Sequence, residues 1–141
     1  MSDVESPMQA IGVPPELEFV SVTFLALLTL ASGVGMWRGA QWGWWCSAFY
    51  FMYGVFRNAS AALMFLAYAE QVDGPRDPEL AVLKHCFRVL LHSLVFSYFM
   101  RPHVLAFFDL QELNKRAAFW KIVGLCLTIS AGAYLAAKLP G

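Results

Sequence analysis

Arg57 is the lone charge between residues 42 and 69, and no Asp or Glu shares that apolar stretch. A guanidinium so placed has to meet hydrogen-bonding groups, an anion or water, and it therefore marks a place where function could sit. Further along, His85, Arg88 and His92 follow one another at spacings of three and four, which puts them on one face of a helix. No carboxylate lies between residues 80 and 108 to neutralise them.

Arg57 lies thirteen residues before Glu70, and His92 lies thirteen residues after Glu79. In an antiparallel helix pair joined by the polar segment between those acids, the two side chains fall level, about 20 Å from the loop. Asn58 adjoins Arg57, and Arg88 is a turn nearer the loop than His92. Arg57, Asn58, Arg88 and His92 are thus expected to form a buried basic layer between the second and third helices.

Such a layer suits three kinds of chemistry. The plainest is structural: the polar side chains bond across the bundle to Ser60, Ser93, Ser97 or backbone carbonyls, while long basic chains snorkel to an interface. The second is binding of an anionic lipid, a carboxylate or a cofactor, because arginine pairs bidentately with such groups. Haem is its sharpest form, with His85 or His92 as axial ligand and arginines on the propionates. Both histidines belong to one helix, so a second imidazole would have to come from another subunit, for instance His92 of a copy across a twofold axis.

Catalysis has less support. No H-E-x-x-H, G-x-S-x-G, G-x-G-x-x-G or P-loop spacing occurs, and no apolar segment holds the paired carboxylates of general acid and base work. Cys46, Cys86 and Cys126 are isolated in separate segments, which signals neither a zinc site nor a redox pair. No metal site or catalytic residue is assigned.

Four apolar segments must position these groups: residues 17–37, 42–69, 80–108 and 117–139. Each reaches the roughly 20 residues that cross a hydrocarbon core of about 30 Å, and the second and third exceed it by about two turns. No run shows the strict alternation of a membrane strand. The expected fold is all-α: an integral membrane four-helix bundle with short loops, preceded by a polar tail at residues 1–16.

Composition agrees with that class. Of 141 residues, 59% are hydrophobic and 14% charged, against about 25% charged in a typical soluble domain. The ten acids fall in the N-terminal tail, the loops and the first turns of apolar segments, whereas Arg57, Lys84, Arg88, Arg101 and Lys121 are embedded in apolar sequence. The zero net charge hides this segregation. With no basic tail or nucleic-acid motif, nucleic acid is not an expected partner.

Residues 1–16 are acidic where a secretion signal would be basic, so the first apolar segment is expected to be a retained anchor. Glu16 and Glu18 are placed to cap its N-terminus or to reach Arg88 or Lys84. At its far end Gly33-x-Gly35-x-Trp37-Arg38-Gly39-x-x-Trp42-Gly43-Trp44-Trp45 forms a short turn in an aromatic belt. That stretch, about a tenth of the chain, is similar to the first interfacial turn of small bacterial membrane proteins, a resemblance that implies an inner-membrane location and no particular activity. Lys and Arg are slightly richer in the first and third loops than elsewhere, which places both termini outside the cytoplasm.

Gly124, Thr128, Gly132 and Ala136 recur every four residues and form a small-residue stripe suited to close helix packing, internal or between subunits. The many aromatic residues are expected to be bulk within the helices rather than a quinone pocket. The leading expectation is a nonenzymatic structural or accessory subunit, with lipid and other membrane subunits or a homo-oligomer as partners. The alternative is an anion-, lipid- or cofactor-binding protein, a small transporter, channel or haem binder, using the basic layer.

Overall fold

The computed structural model describes residues 15–67 and 78–138, with side-chain surroundings at 19–67, 79–132 and 135. Among the described residues the chain is all-helical: α1 (Pro15–Trp37), α2 (Gln41–Ala67), α3 (Pro78–Phe99), α4 (Pro102–Phe107) and α5 (Lys115–Lys138). The polar breaker at residues 73–77 and the side chains of Glu16, Glu18 and Ala136 lie outside the described residues.

α2 is the hub, packing against α1, α3 and α5. The turn from α1 to α2 is a Schellman motif, with Ala40 N–H donating to the Gly35 carbonyl and Gly39 N–H to the Met36 carbonyl at 3.0 and 3.1 Å. Gly39 takes the left-handed conformation this needs, with φ of 62°. Two further glycines let the hairpin close. A Cβ on Gly43 would fall 2.6 Å from the Met36 nitrogen, and one on Gly35 would fall 2.7 Å from the Trp42 ring. The backbones therefore meet directly, and a hydrogen bond between the Ser32 and Ser47 hydroxyls joins the helices one turn further in.

The third apolar segment is two helices rather than the single one expected over 80–108. Pro102 has no N–H to continue the ladder, and its ring excludes the helical conformation at the residue before it. Arg101 accordingly turns extended, with φ −72° and ψ 143°. The shortened α3 has 22 residues, about 33 Å of helix, close to the roughly 30 Å of a hydrocarbon core.

α4 folds back beneath the bundle and buries Val104, Leu105 and Phe108. It ends in a second Schellman motif, in which Leu110 N–H donates to the Leu105 carbonyl at 2.8 Å and Asp109 N–H to the Ala106 carbonyl at 3.2 Å. Asp109 occupies the left-handed position that Gly39 fills in the first. Asn114 then caps α5, its side-chain oxygen accepting from the Ala117 N–H at 3.1 Å.

The core lies at this end of the bundle. Trp44 is fully buried, and its indole N–H donates to the Phe99 carbonyl at 3.1 Å, satisfying one of the orphan acceptors at the end of α3. Ala48, Met52, Phe99, Leu105, Phe108, Ala118, Ile122 and Cys126 pack with it. Ala118, Ile122 and Cys126 form the inward face of α5. Gly124 lies on the opposite face and Gly132 further along the helix, and at both a Cβ would meet nothing within 4 Å. The described part of the small-residue stripe is thus not an internal contact; α5 packs through its larger residues instead.

Outside this core the helices keep wide apolar surfaces. Leu30 of α1 is 68% exposed and Phe87 of α3 is 65% exposed, and both helices show the same character along their length. Among the described residues, Phe19–Trp37 and Glu79–Phe99 are long and apolar enough to cross a membrane. α2 is longer, at 27 residues, and carries Arg57 and Asn58 within its apolar sequence.

Candidate functional site

Beyond Met52 the paired helices α2 and α3 carry the polar groups singled out in the sequence. Asn58 donates through Nδ2 to the Gly54 carbonyl at 2.8 Å, and its Oδ1 lies 3.0 Å from His85 Nδ1. Since Oδ1 can only accept, His85 carries a proton on Nδ1 and donates across the helix pair. The His85 ring is also stacked on Phe65, at 5.6 Å between centroids. With the Trp44 indole bond to the Phe99 carbonyl at the other end of the pair, this bond between Asn58 and His85 links α2 and α3 through polar groups.

His92 is fixed in a different way. Its Nδ1 lies 2.7 Å from the Arg88 carbonyl one turn back, so this histidine too is an Nδ1–H donor. The opposite edge of the ring faces α2 at Gly54, where an added Cβ would fall 2.7 Å from Nε2. Tyr50 and Phe51 close around it, with centroids at 6.4 and 5.9 Å. Gly54 and Phe65 had no role expected at this site from the sequence, and Tyr50 and Phe51 were expected only as aromatic bulk. A glycine four residues before Asn58, on the same helical face, was the available signal for the first of them.

The helix register differs from the expected one by about a turn. His92 sits opposite Gly54 rather than level with Arg57, and His85 sits opposite Asn58. Along α3, Arg88 lies between those two contacts, close to the level of Arg57. The two arginines are therefore level with each other.

Both arginines are exposed. They flank the helix interface instead of filling it, so the basic layer is an external band and not the buried one anticipated. The reason is geometric. Gly54, Asn58 and Phe65 occupy the face of α2 that meets α3, and Arg57 is rotated about 100° from Asn58. Arg88, Lys84 and Arg57 are the cations close enough to act electrostatically on the His85 ring.

The band has consequences for ligands. Arginines on the outside of a helix pair can meet an anion that approaches laterally, such as a carboxylate of a neighbouring helix or a lipid headgroup. A haem shared across a twofold axis through His92 is disfavoured, because the Nε2 edge of that ring faces Gly54 and not a second copy. Among the described residues, no group of three or more His, Cys, Asp and Glu side chains is arranged to hold a metal ion. Ser97, expected to bond across the bundle, donates instead to the Ser93 carbonyl of its own helix at 2.8 Å. Compared with known families, functionally characterised proteins and solved structures, the chain shows no match.

Proposed function

We propose that the chain is an integral membrane protein in which α1, α2, α3 and α5 cross the bilayer, and that it serves as a nonenzymatic accessory subunit docked through the exposed Arg57 and Arg88 band. The observation that carries this is the level placement of two exposed guanidiniums, with Lys84 a turn away, on a helix pair whose exposed surface is otherwise mostly apolar. Arg57 is sixteen residues beyond Gln41, about 24 Å along the helix. Lipid tails cannot solvate a cation there, so the band is satisfied by snorkelling to headgroups or by an acid on a neighbouring protein. Wide apolar faces on α1 and α3 favour lipid as the surrounding solvent, since soluble proteins rarely expose so much contiguous apolar area.

Orientation follows from the charges. Arg38, Arg101, Lys115, Arg116 and Lys121 gather at the end that holds the α1–α2 turn, α4 and the start of α5. With basic residues retained on the cytoplasmic side, both termini face outward across a bacterial inner membrane.

The test is gentle purification of the full chain from membranes, followed by identification of co-purifying proteins. A reproducible membrane partner is expected, lost from the Arg57→Leu, Arg88→Leu double variant while the bundle stays folded. A partner that survives the double variant removes this docking face. Recovery of the chain in the soluble fraction of washed cells would remove the membrane location itself. A C-terminal reporter active only in the cytoplasm would reverse the orientation.

The same level pair favours a second function, binding of a small anion or anionic lipid in place of a protein acid. Its mark would be an anionic ligand that co-purifies with the chain and is lost in Arg57→Leu with no protein partner involved. For haem in particular, a preparation without a Soret band is the expected outcome.

A further inference from the structure

An open apolar groove of about 480 Å³ runs between α1, α2 and α5, walled by Phe24, Leu28, Trp45, Phe49, Leu125 and Ile129. Lys121, whose methylene stem forms part of the wall, is its charged residue. We propose that this groove holds one acyl chain of an anionic phospholipid, with the lipid phosphate at the Lys121 ammonium. The proposal rests on the membrane location argued above and adds to it a specific ligand and site.

Three features point to this occupant. First, the groove is polarised along the bilayer normal. Gln41 Nε2 donates to the Asp109 carbonyl at 3.0 Å, tying the start of α2 to the loop before α5. Trp45 and Lys121 therefore lie towards the same basic end, and the wall continues inward to Ile129. Those eight residues of α5 span about 12 Å, so a headgroup at Lys121 leaves its chain pointing to the bilayer centre.

Second, the charges match. The groove lies towards the end that carries Arg38, Arg101, Lys115 and Arg116 against the acids Asp109 and Glu112, a net positive set that attracts an anionic headgroup more than a zwitterionic one. Third, shape and chemistry agree with a chain rather than a polar solute. The volume is within the roughly 300–1,000 Å³ of small-molecule sites, and aside from Lys121 the named walls are apolar or aromatic.

The test is native mass spectrometry of the full chain extracted from membranes into detergent, titrated with phosphatidylglycerol and phosphatidylcholine bearing the same acyl chains. The expected result is one retained phosphatidylglycerol in preference to phosphatidylcholine. Lys121→Gln should weaken it about fivefold, the effect of one cation near an anionic lipid surface. Leu125→Trp, at a half-exposed wall position, should fill the groove and weaken both lipids. Lys84→Gln, an exposed basic residue of α3 away from the groove and its basic end, should change neither.

Equal retention of the two lipids overturns the proposal, as does a phosphatidylglycerol preference that survives both groove variants. A dimer that Leu125→Trp dissociates would assign the groove to a second copy and overturn it as well. Because the protein is taken from the membrane fraction, failure of any of these leaves the membrane location standing. That location fails separately, by recovery of the chain without detergent.

Discussion

The edge of the His92 imidazole rests on Gly54, with no room between them for a methyl group. The ring cannot simply rotate away, because its Nδ1–H is held by the Arg88 carbonyl at 2.7 Å. Gly54→Ala should therefore displace His92 and break that bond, costing about 1–3 kcal/mol as for other overpacked sites. A double-mutant cycle with His92→Ala, read by unfolding in mixed micelles, should recover most of the loss. Equal losses in the presence and absence of the imidazole would show that the contact carries no energy.

Glycines in the α1–α2 hairpin should be far less replaceable than those of α5. A Cβ on Gly43 meets backbone atoms of Gly35 and Met36, which cannot yield as a side chain can. Gly43→Ala is expected to cost at least about 2 kcal/mol through separation of the helices. Gly124→Ala and Gly132→Ala meet nothing within 4 Å and should be neutral or gain up to about 1 kcal/mol from helix propensity. Thermal unfolding of the three variants in one detergent gives the comparison, and a reversed order would contradict the helix packing described here.

Asn58 holds His85 by accepting from Nδ1–H while its amide is engaged with Gly54. Asn58→Leu leaves that imidazole N–H without its partner, with an expected cost of about 1–3 kcal/mol. The nitrogen chemical shifts of His85 should report an Nδ1–H tautomer in the wild type and a mixture in the variant. A mixture in both would mean the bond is not made.

Trp44 links the core of α2 to the end of α3 through its indole N–H. Trp44→Phe keeps most of the apolar bulk but strips the Phe99 carbonyl of its donor, and should cost about 1–3 kcal/mol. Faster hydrogen exchange at residues 97–101 is the accompanying mark. Without that local change, the loss would be one of packing alone.

Gly39 and Asp109 occupy equivalent left-handed positions in two Schellman turns, at φ of 62° and 56°. Asp109→Gly should be tolerated or mildly stabilising, because glycine adopts this conformation without the steric cost of a Cβ, whereas Gly39→Val should lose at least about 1 kcal/mol. Chemical denaturation of both variants tests the pair together.

Helix content was legible in the chain because it depends on local properties: runs of apolar residues punctuated by Gly, Pro and polar clusters. The break at Arg101 was not read from the sequence, although Pro102 restricts its neighbour wherever it occurs. It was obscured by the continuous hydrophobicity of residues 104–108. Segment ends near Trp37 and Gln41 agree closely with the structure for the same local reasons.

Facing and register were decided only by tertiary structure. A one-turn slide of α3 along α2 leaves every local pattern intact, yet it brings His92 to Gly54, His85 to Asn58 and Arg57 level with Arg88. Likewise Gly35, Gly43, Gly124 and Gly132 look alike as small residues in apolar helices, but the first two bring backbones together and the last two face open space. Periodicity groups residues onto a face; which face meets a neighbour depends on how all the helices share a limited core, and that is a property of the assembled bundle.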